Sequence, residues 1–202
     1  MGKGRLEAFS DGVFAIIITI MVLELKAPHG TGLEAWQPVL PAFLCYVLSF
    51  LYVGIYWNNH HHLFHLVQRV SGMTLWANLH LLFWLSLLPL VTRWMGETQF
   101  DTWPVAAYGI VLFMCAVAGE IERRVLLRLH APDSPLARAL GHNAKEGLSI
   151  LLYLLAIASA LVNTIVASAL YTLVAVIWFV PDRRIEREIE AARKPGPDQP
   201  RA

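Results

Sequence analysis

An all-α, polytopic membrane protein with six transmembrane helices is the fold the sequence predicts, and three observations predict it. Hydrophobic residues make up 56% of the 202, charged residues 15%, and mean hydropathy is positive, so a soluble domain of this composition would expose large apolar patches. The apolar residues gather in runs of about 17 to 25, the length that crosses a hydrocarbon core of about 30 Å. Lys and Arg fall almost entirely on one side of those runs.

The runs lie near residues 9–25, 39–64, 73–94, 103–122 and 148–180. The last would make a helix of about 50 Å, too long for one crossing, so a reversal near Asn163 and Thr164 divides it into two short spans. Six spans leave both termini on one side. The segments on that side hold all of the Lys and Arg residues except Lys26 and Arg93, which makes it the cytoplasmic side. Trp36, Trp57, Trp94, Trp103 and Trp178 fall toward span ends, where interfacial anchors belong. Between the fourth and fifth spans, 123–147 reads as a surface linker or a short amphipathic helix on the membrane. Residues 1–181 form the membrane domain. Residues 182–202 form a charged, partly disordered cytoplasmic tail.

Several classes are excluded at this level. A formal net charge of +1 without a basic stripe speaks against nucleic acid as a partner. Cys45 and Cys115 both lie in apolar runs, which suggests neither a disulfide framework nor a thiolate metal site. The N-terminus does not resemble a signal peptide, because Arg5 and Asp11 flank the start of its helix and Glu24 interrupts the far end.

On the first helix Ile16, Thr19, Ile20 and Leu23 recur at spacings of three and four and share one stripe. Such a stripe also suits helix packing or lipid contact, and the Thr19 hydroxyl can simply bond the Ala15 carbonyl one turn back. At the inner end of the second span stand Trp57, Asn58, Asn59, His60, His61, His62 and His65. His61 and His65, with His80 on the next span, could ligate a transition metal, but no carboxylate lies within the cluster and no H-E-x-x-H is present.

The spelling R-x-x-x-F-S-D at Arg5, Phe9, Ser10 and Asp11 resembles the transmembrane protein 175 family of potassium channels. Its W-x-x-H-H element is matched by Trp57, His60 and His61. Its N-L-x-x-L-F-x-x-S-L-x-P run is echoed from Asn78 to Pro89, and the end of its sixth helix resembles residues 178–184. The resemblance implies a potassium-preferring cation channel, not an enzyme, conducting passively without a cofactor. The first helix would line a central pore in a homotetramer, with Ile16 as constriction and Thr19 as selectivity hydroxyl. Ile20 and Leu23 would extend the narrow section outward. Arg5, Asp11 and one of the inner histidines would form a polar network supporting that helix. The expected partners are further copies of the chain, the lipid bilayer, potassium and other monovalent cations. A single motif in 202 residues fits the bacterial, single-repeat form in the cell membrane. The rival reading is a secondary transporter, whose usual inverted repeats and charged midplane site the sequence does not show.

Overall fold

The computed structural model describes residues 2–140 and 144–179, and its elements are helical throughout. They are α1 (Lys3–Leu23), a 3-10 turn (Leu33–Trp36), α2 (Leu40–Leu66), α3 (Gly72–Ser86), α4 (Leu88–Glu97), α5 (Thr102–Leu129), α6 (Pro135–Ala139), α7 (Ala144–Ala160) and α8 (Thr164–Phe179). Among the described residues four segments are long and apolar enough to cross a membrane: 3–23, 40–66, 72–97 and 102–129. Four is fewer than the six expected, because α7 and α8 have only 17 and 16 residues.

The third span is one apolar segment broken in the middle. Proline at 89 has no N–H to give the Leu85 carbonyl and its ring crowds that carbonyl, so α3 ends at Ser86 with Leu87 as its cap. α4 restarts with Pro89 in its first turn, where the missing donor is not needed. At the other end of α3, Ser71 and Thr74 form a reciprocal capping box.

The reversal between α7 and α8 falls where the polar residues place it. Leu161 and Val162 form the turn, and the Asn163 side chain accepts from the backbone N–H groups of Ile165 at 2.9 Å and Val166 at 3.3 Å. Those donors would otherwise be orphaned at an apolar helix start.

α5 is the hub, packing against α3, α4, α7 and α8, while α1 lies to one side against α2, α3 and α4. Where helices pack in lipid, small residues allow close approach and polar groups fix register. Both devices appear. Gly96 brings α4 so near α2 that an added Cβ would stand 2.6 Å from the Ala42 Cα. Gly109 of α5 makes room for the Tyr171 hydroxyl, which donates to the Val105 carbonyl at 3.2 Å. The Tyr52 hydroxyl donates to the Tyr171 carbonyl at 2.6 Å, and Ser49 bonds both Thr92 at 2.7 Å and Tyr108 at 3.0 Å. Buried polar groups of α2, α4, α5 and α8 are thereby satisfied within the bundle. Cys45 and Cys115 are buried, unbridged members of the same core.

A smaller core closes the end that holds the α1 N-terminus. Leu6, Phe64, Leu66, Val67 and Leu126 enclose Leu136 and Ala139 of α6, so this helix packs under the bundle as part of the protein. His130 fastens the neighbouring loop: its Nε2 accepts from the Gln68 and Arg69 backbone N–H groups at 3.1 and 3.3 Å. Its proton therefore sits on Nδ1, which donates to the Leu126 carbonyl at 2.8 Å. The tail at 182–202 and residues 180–184 of the sixth-helix resemblance lie outside the described residues.

The close approach at Gly96 is directly testable. Gly96→Ala must push the Ala42 backbone away, and overpacking of this kind costs about 1 to 3 kcal/mol. A lowered thermal unfolding midpoint of the purified protein is the expected result.

Candidate functional site

α1 has two faces of different character. Leu6, Ser10, Phe14, Ile17 and Met21, spaced by three and four, are buried against the bundle. On the opposite side Phe9, Ile16, Thr19, Ile20 and Leu23 are exposed, Ile16 at 59% and Leu23 at 76%. At 100° per residue Arg5 and Gly12 fall in the same outward stripe as Ile16, Thr19 and Leu23. Among the described residues, a single chain thus leaves this apolar, β-branched surface of a membrane helix uncovered.

The buried face is held by a three-residue polar lock. Asn78 of α3 donates through Nδ2 to the Ser10 Oγ at 3.0 Å, and its Oδ1 lies 2.9 Å from His60 Nε2 of α2. Ser10 also donates to the Leu6 carbonyl at 2.9 Å. All three side chains are buried, His60 at 4% exposure. The His60 ring is stacked on Phe64 at 4.4 Å and meets Phe14 edge-on at 5.7 Å, so it is fixed by packing as well as by hydrogen bonding. With Asn78 Oδ1 accepting, Nε2 is the protonated nitrogen of the neutral ring.

Beside the lock, the exposed Asp11 accepts from Trp57 Nε1 at 2.9 Å, and Trp57 in turn stacks on His61 at 6.0 Å. The structure therefore brings together Ser10 with His60 through Asn78, and Asp11 with Trp57 and His61. Arg5 is exposed and, among the described residues, has no side-chain hydrogen bond or ion pair. The expected trio of Arg5, Asp11 and a histidine is not assembled within one chain. Asn78 takes the central place. Its signal in the sequence was an amide within an apolar span, where a polar side chain needs a partner.

Thr19 donates to the Ala15 carbonyl at 2.8 Å. That bond uses its only proton and leaves the oxygen lone pairs free to face outward. Ile16 precedes it by one turn. At the outer end, Lys26 pairs with Glu97 at 2.8 Å, and Arg93 reaches Glu97 at 3.2 Å and Glu24 at 3.7 Å, tying the end of α1 to α4. The two basic residues expected outside are thus both neutralised by acids. The histidines do not form a metal centre: His80 accepts from Trp84 Nε1 at 3.0 Å, and the described residues hold no group of three His, Cys, Asp or Glu placed to ligate an ion.

Residues 5–89 match the family described as endosomal/lysosomal potassium channel TMEM175. A potassium channel of Chryseobacterium sp. (strain P1-3) is 55% identical over 190 residues, which cover 94% of this chain and 99% of that protein. This chain belongs to the TMEM175 family. A potassium channel of Streptomyces collinus is 36% identical over 150 residues, 68% of this chain and 73% of that protein. The endosomal/lysosomal proton channel TMEM175 of Gallus gallus is 34% identical over 109 residues, 48% of this chain but only 22% of its own length. Among solved structures, a lysosomal potassium-selective channel TMEM175 homolog from Chamaesiphon minutus superposes with a TM-score of 0.73 at 28% identity. That match covers 90% of this chain and 97% of the other. Membership of the TMEM175 family makes the chain a channel protein rather than an enzyme.

If the lock fixes α1, breaking it should matter more than removing an exposed contact. Asn78→Ala leaves His60 without a partner and should cost about 1 to 3 kcal/mol, whereas Asp11→Ala loses one exposed hydrogen bond, about 0.5 to 1.5 kcal/mol. Thermal unfolding of the two purified variants should rank them in that order.

Proposed function

We propose that this chain is a potassium-permeable channel subunit in which the exposed face of α1 lines a central pore. The observation that carries this reading is the division of α1: one face is locked into the subunit, and the opposite face, Ile16, Thr19, Ile20 and Leu23, is uncovered. One such face cannot enclose a pore, so closed cyclic symmetry is required, and we assign a homotetramer. Ile16 is the constriction, a hydrophobic ring that closes by dewetting. Thr19 offers a ring of hydroxyl oxygens one turn further out, with Ile20 and Leu23 continuing the narrow section. Potassium sheds hydration water more readily than sodium, so a side-chain pore of this kind prefers it modestly.

Residues 1–181 make up the channel domain in this reading, with α7 and α8 completing six spans of the cell membrane and both termini cytoplasmic. The short α7 and α8 fit because their Asn163 turn satisfies its own backbone. Ser10, Asp11, Trp57, His60 and His61 hold α1 at its inner end. Arg5 and Phe9, exposed on the single chain, are assigned to contacts between copies. Potassium and other monovalent cations are the permeant partners in this reading, and no cofactor is needed.

Reconstitution into liposomes tests the assignment. Passive potassium flux along an imposed gradient, from a complex whose mass corresponds to four copies, is the expected outcome. Flux strictly coupled to protons or substrate would instead indicate a transporter. Ile16→Asn should hydrate the constriction and raise cation current at equal surface expression, whereas a lipid-facing Ile16 would leave conductance unchanged.

Thr19 calls for a different measurement. Thr19→Val keeps the shape and removes the oxygen, so preference for potassium over sodium should fall while assembly persists. An unshifted bi-ionic reversal potential would return Thr19 to helix packing.

A further inference from the structure

Off the proposed axis, the bundle contains a cavity of about 150 Å³ bordered by α2, α5, α7 and α8. A partly open space of this size accommodates a molecule about as large as benzene. Glu122 of α5 lines it, with 1% of its surface exposed and with Oε1 lacking a hydrogen-bond partner among the described residues. Buried carboxylates are normally paired, and the guanidinium that lines the cavity is engaged elsewhere: Arg123 is bound to Glu120 at 2.6 Å and to Glu146 at 3.0 Å. Part of the remaining wall is aromatic, formed by Tyr52, Tyr56, Tyr153 and Trp178, and part is charged, formed by Lys145 and the Arg123 ion-pair cluster. The Trp178 N–H is already donated to Ser149 at 2.7 Å, which leaves its ring as contact surface.

We propose that this cavity binds a small organic ammonium ion, with Glu122 as its counter-charge and the aromatic faces as its walls. A buried acid in a cavity partly lined by aromatic rings is the chemistry that selects a weakly hydrated cation with a greasy exterior, because ring quadrupoles and the carboxylate attract the same charge. A divalent metal suits the site less well, since the described residues offer no cluster of three ligands. Gly119 leaves room in the wall. It lines the cavity, and a Cβ built there meets no atom within 4 Å, so the space beside it is open.

The proposal does not depend on which helix lines the pore, and its test requires no conduction. Thermal unfolding of the purified full-length protein would be followed near pH 9 in increasing tetramethylammonium chloride. Sodium chloride of equal ionic strength and tert-butanol, a neutral analogue of similar shape, serve as controls. The unfolding midpoint should rise with tetramethylammonium alone, and the apparent affinity should fall at least about tenfold in Glu122→Gln, which keeps shape but removes charge. Gly119→Leu, which fills the open space and suits a helix, should abolish the shift and decides the matter if Glu122→Gln does not fold. No shift in the wild type, or equal shifts in all three proteins as a pore-bound ion would give, overturns the proposal. Absent potassium flux with a Glu122-dependent shift would sink the channel reading and leave this site standing.

Discussion

The rotational setting of α1 about its own axis is the constraint on which the proposed pore depends. A turn of one residue position, 100°, would exchange buried for exposed side chains along its whole length. Apolar contact alone sets this weakly, because Leu, Ile, Phe and Met packing is non-directional. The hydrogen bonds from Asn78 to Ser10 and His60 are directional and buried, so any other rotation strands polar groups in an apolar medium. The short Ser10 hydroxyl is thereby tied to where Ile16 and Thr19 point, about one and a half to two and a half turns away.

The rest of the bundle supplies the frame that α1 is locked to. Inside a bilayer no hydrophobic gain accompanies helix association, so the frame relies on close approach and polar register. Gly96 and Gly109 provide the first, and the bonds among Ser49, Thr92 and Tyr108 and from Tyr52 and Tyr171 to backbone carbonyls provide the second. The outer ion pairs of Lys26 and Arg93 hold the far end of α1 to α4. Fastened at both ends against α2, α3 and α4, α1 presents one face outward, as the proposed pore requires.

Different parts of the chain carry different constraints. The family match at 5–89 spans α1, the polar lock and the break at Pro89, the segments that position the outward stripe. The cavity that holds Glu122 draws on α5, α7 and α8 as well as on α2, and so extends beyond that match. The lock explains how a short motif can fix a helix face, while the second half of the bundle forms the support behind it.

The sequence by itself determined the features that local chemistry controls. Apolar run length set the helical membrane class, proline at 89 set the break in the third span, and Asn163 set the reversal between α7 and α8. Family membership was legible too, in the first and second helices and the run from Asn78 to Pro89. What only the tertiary structure decided were the partners. Ser10 and Asn78 are 68 residues apart and Asp11 and Trp57 are 46, separations at which no periodicity links one residue to another. Arg5 and Asp11 attract attention in a sequence because they are charged, yet the buried lock is built from neutral groups. Charge is readable from composition, whereas burial depends on which helices meet. Glu122 shows the same limit: in sequence it is one acid in a charged stretch, and only the packing of α2, α7 and α8 around α5 leaves it enclosed.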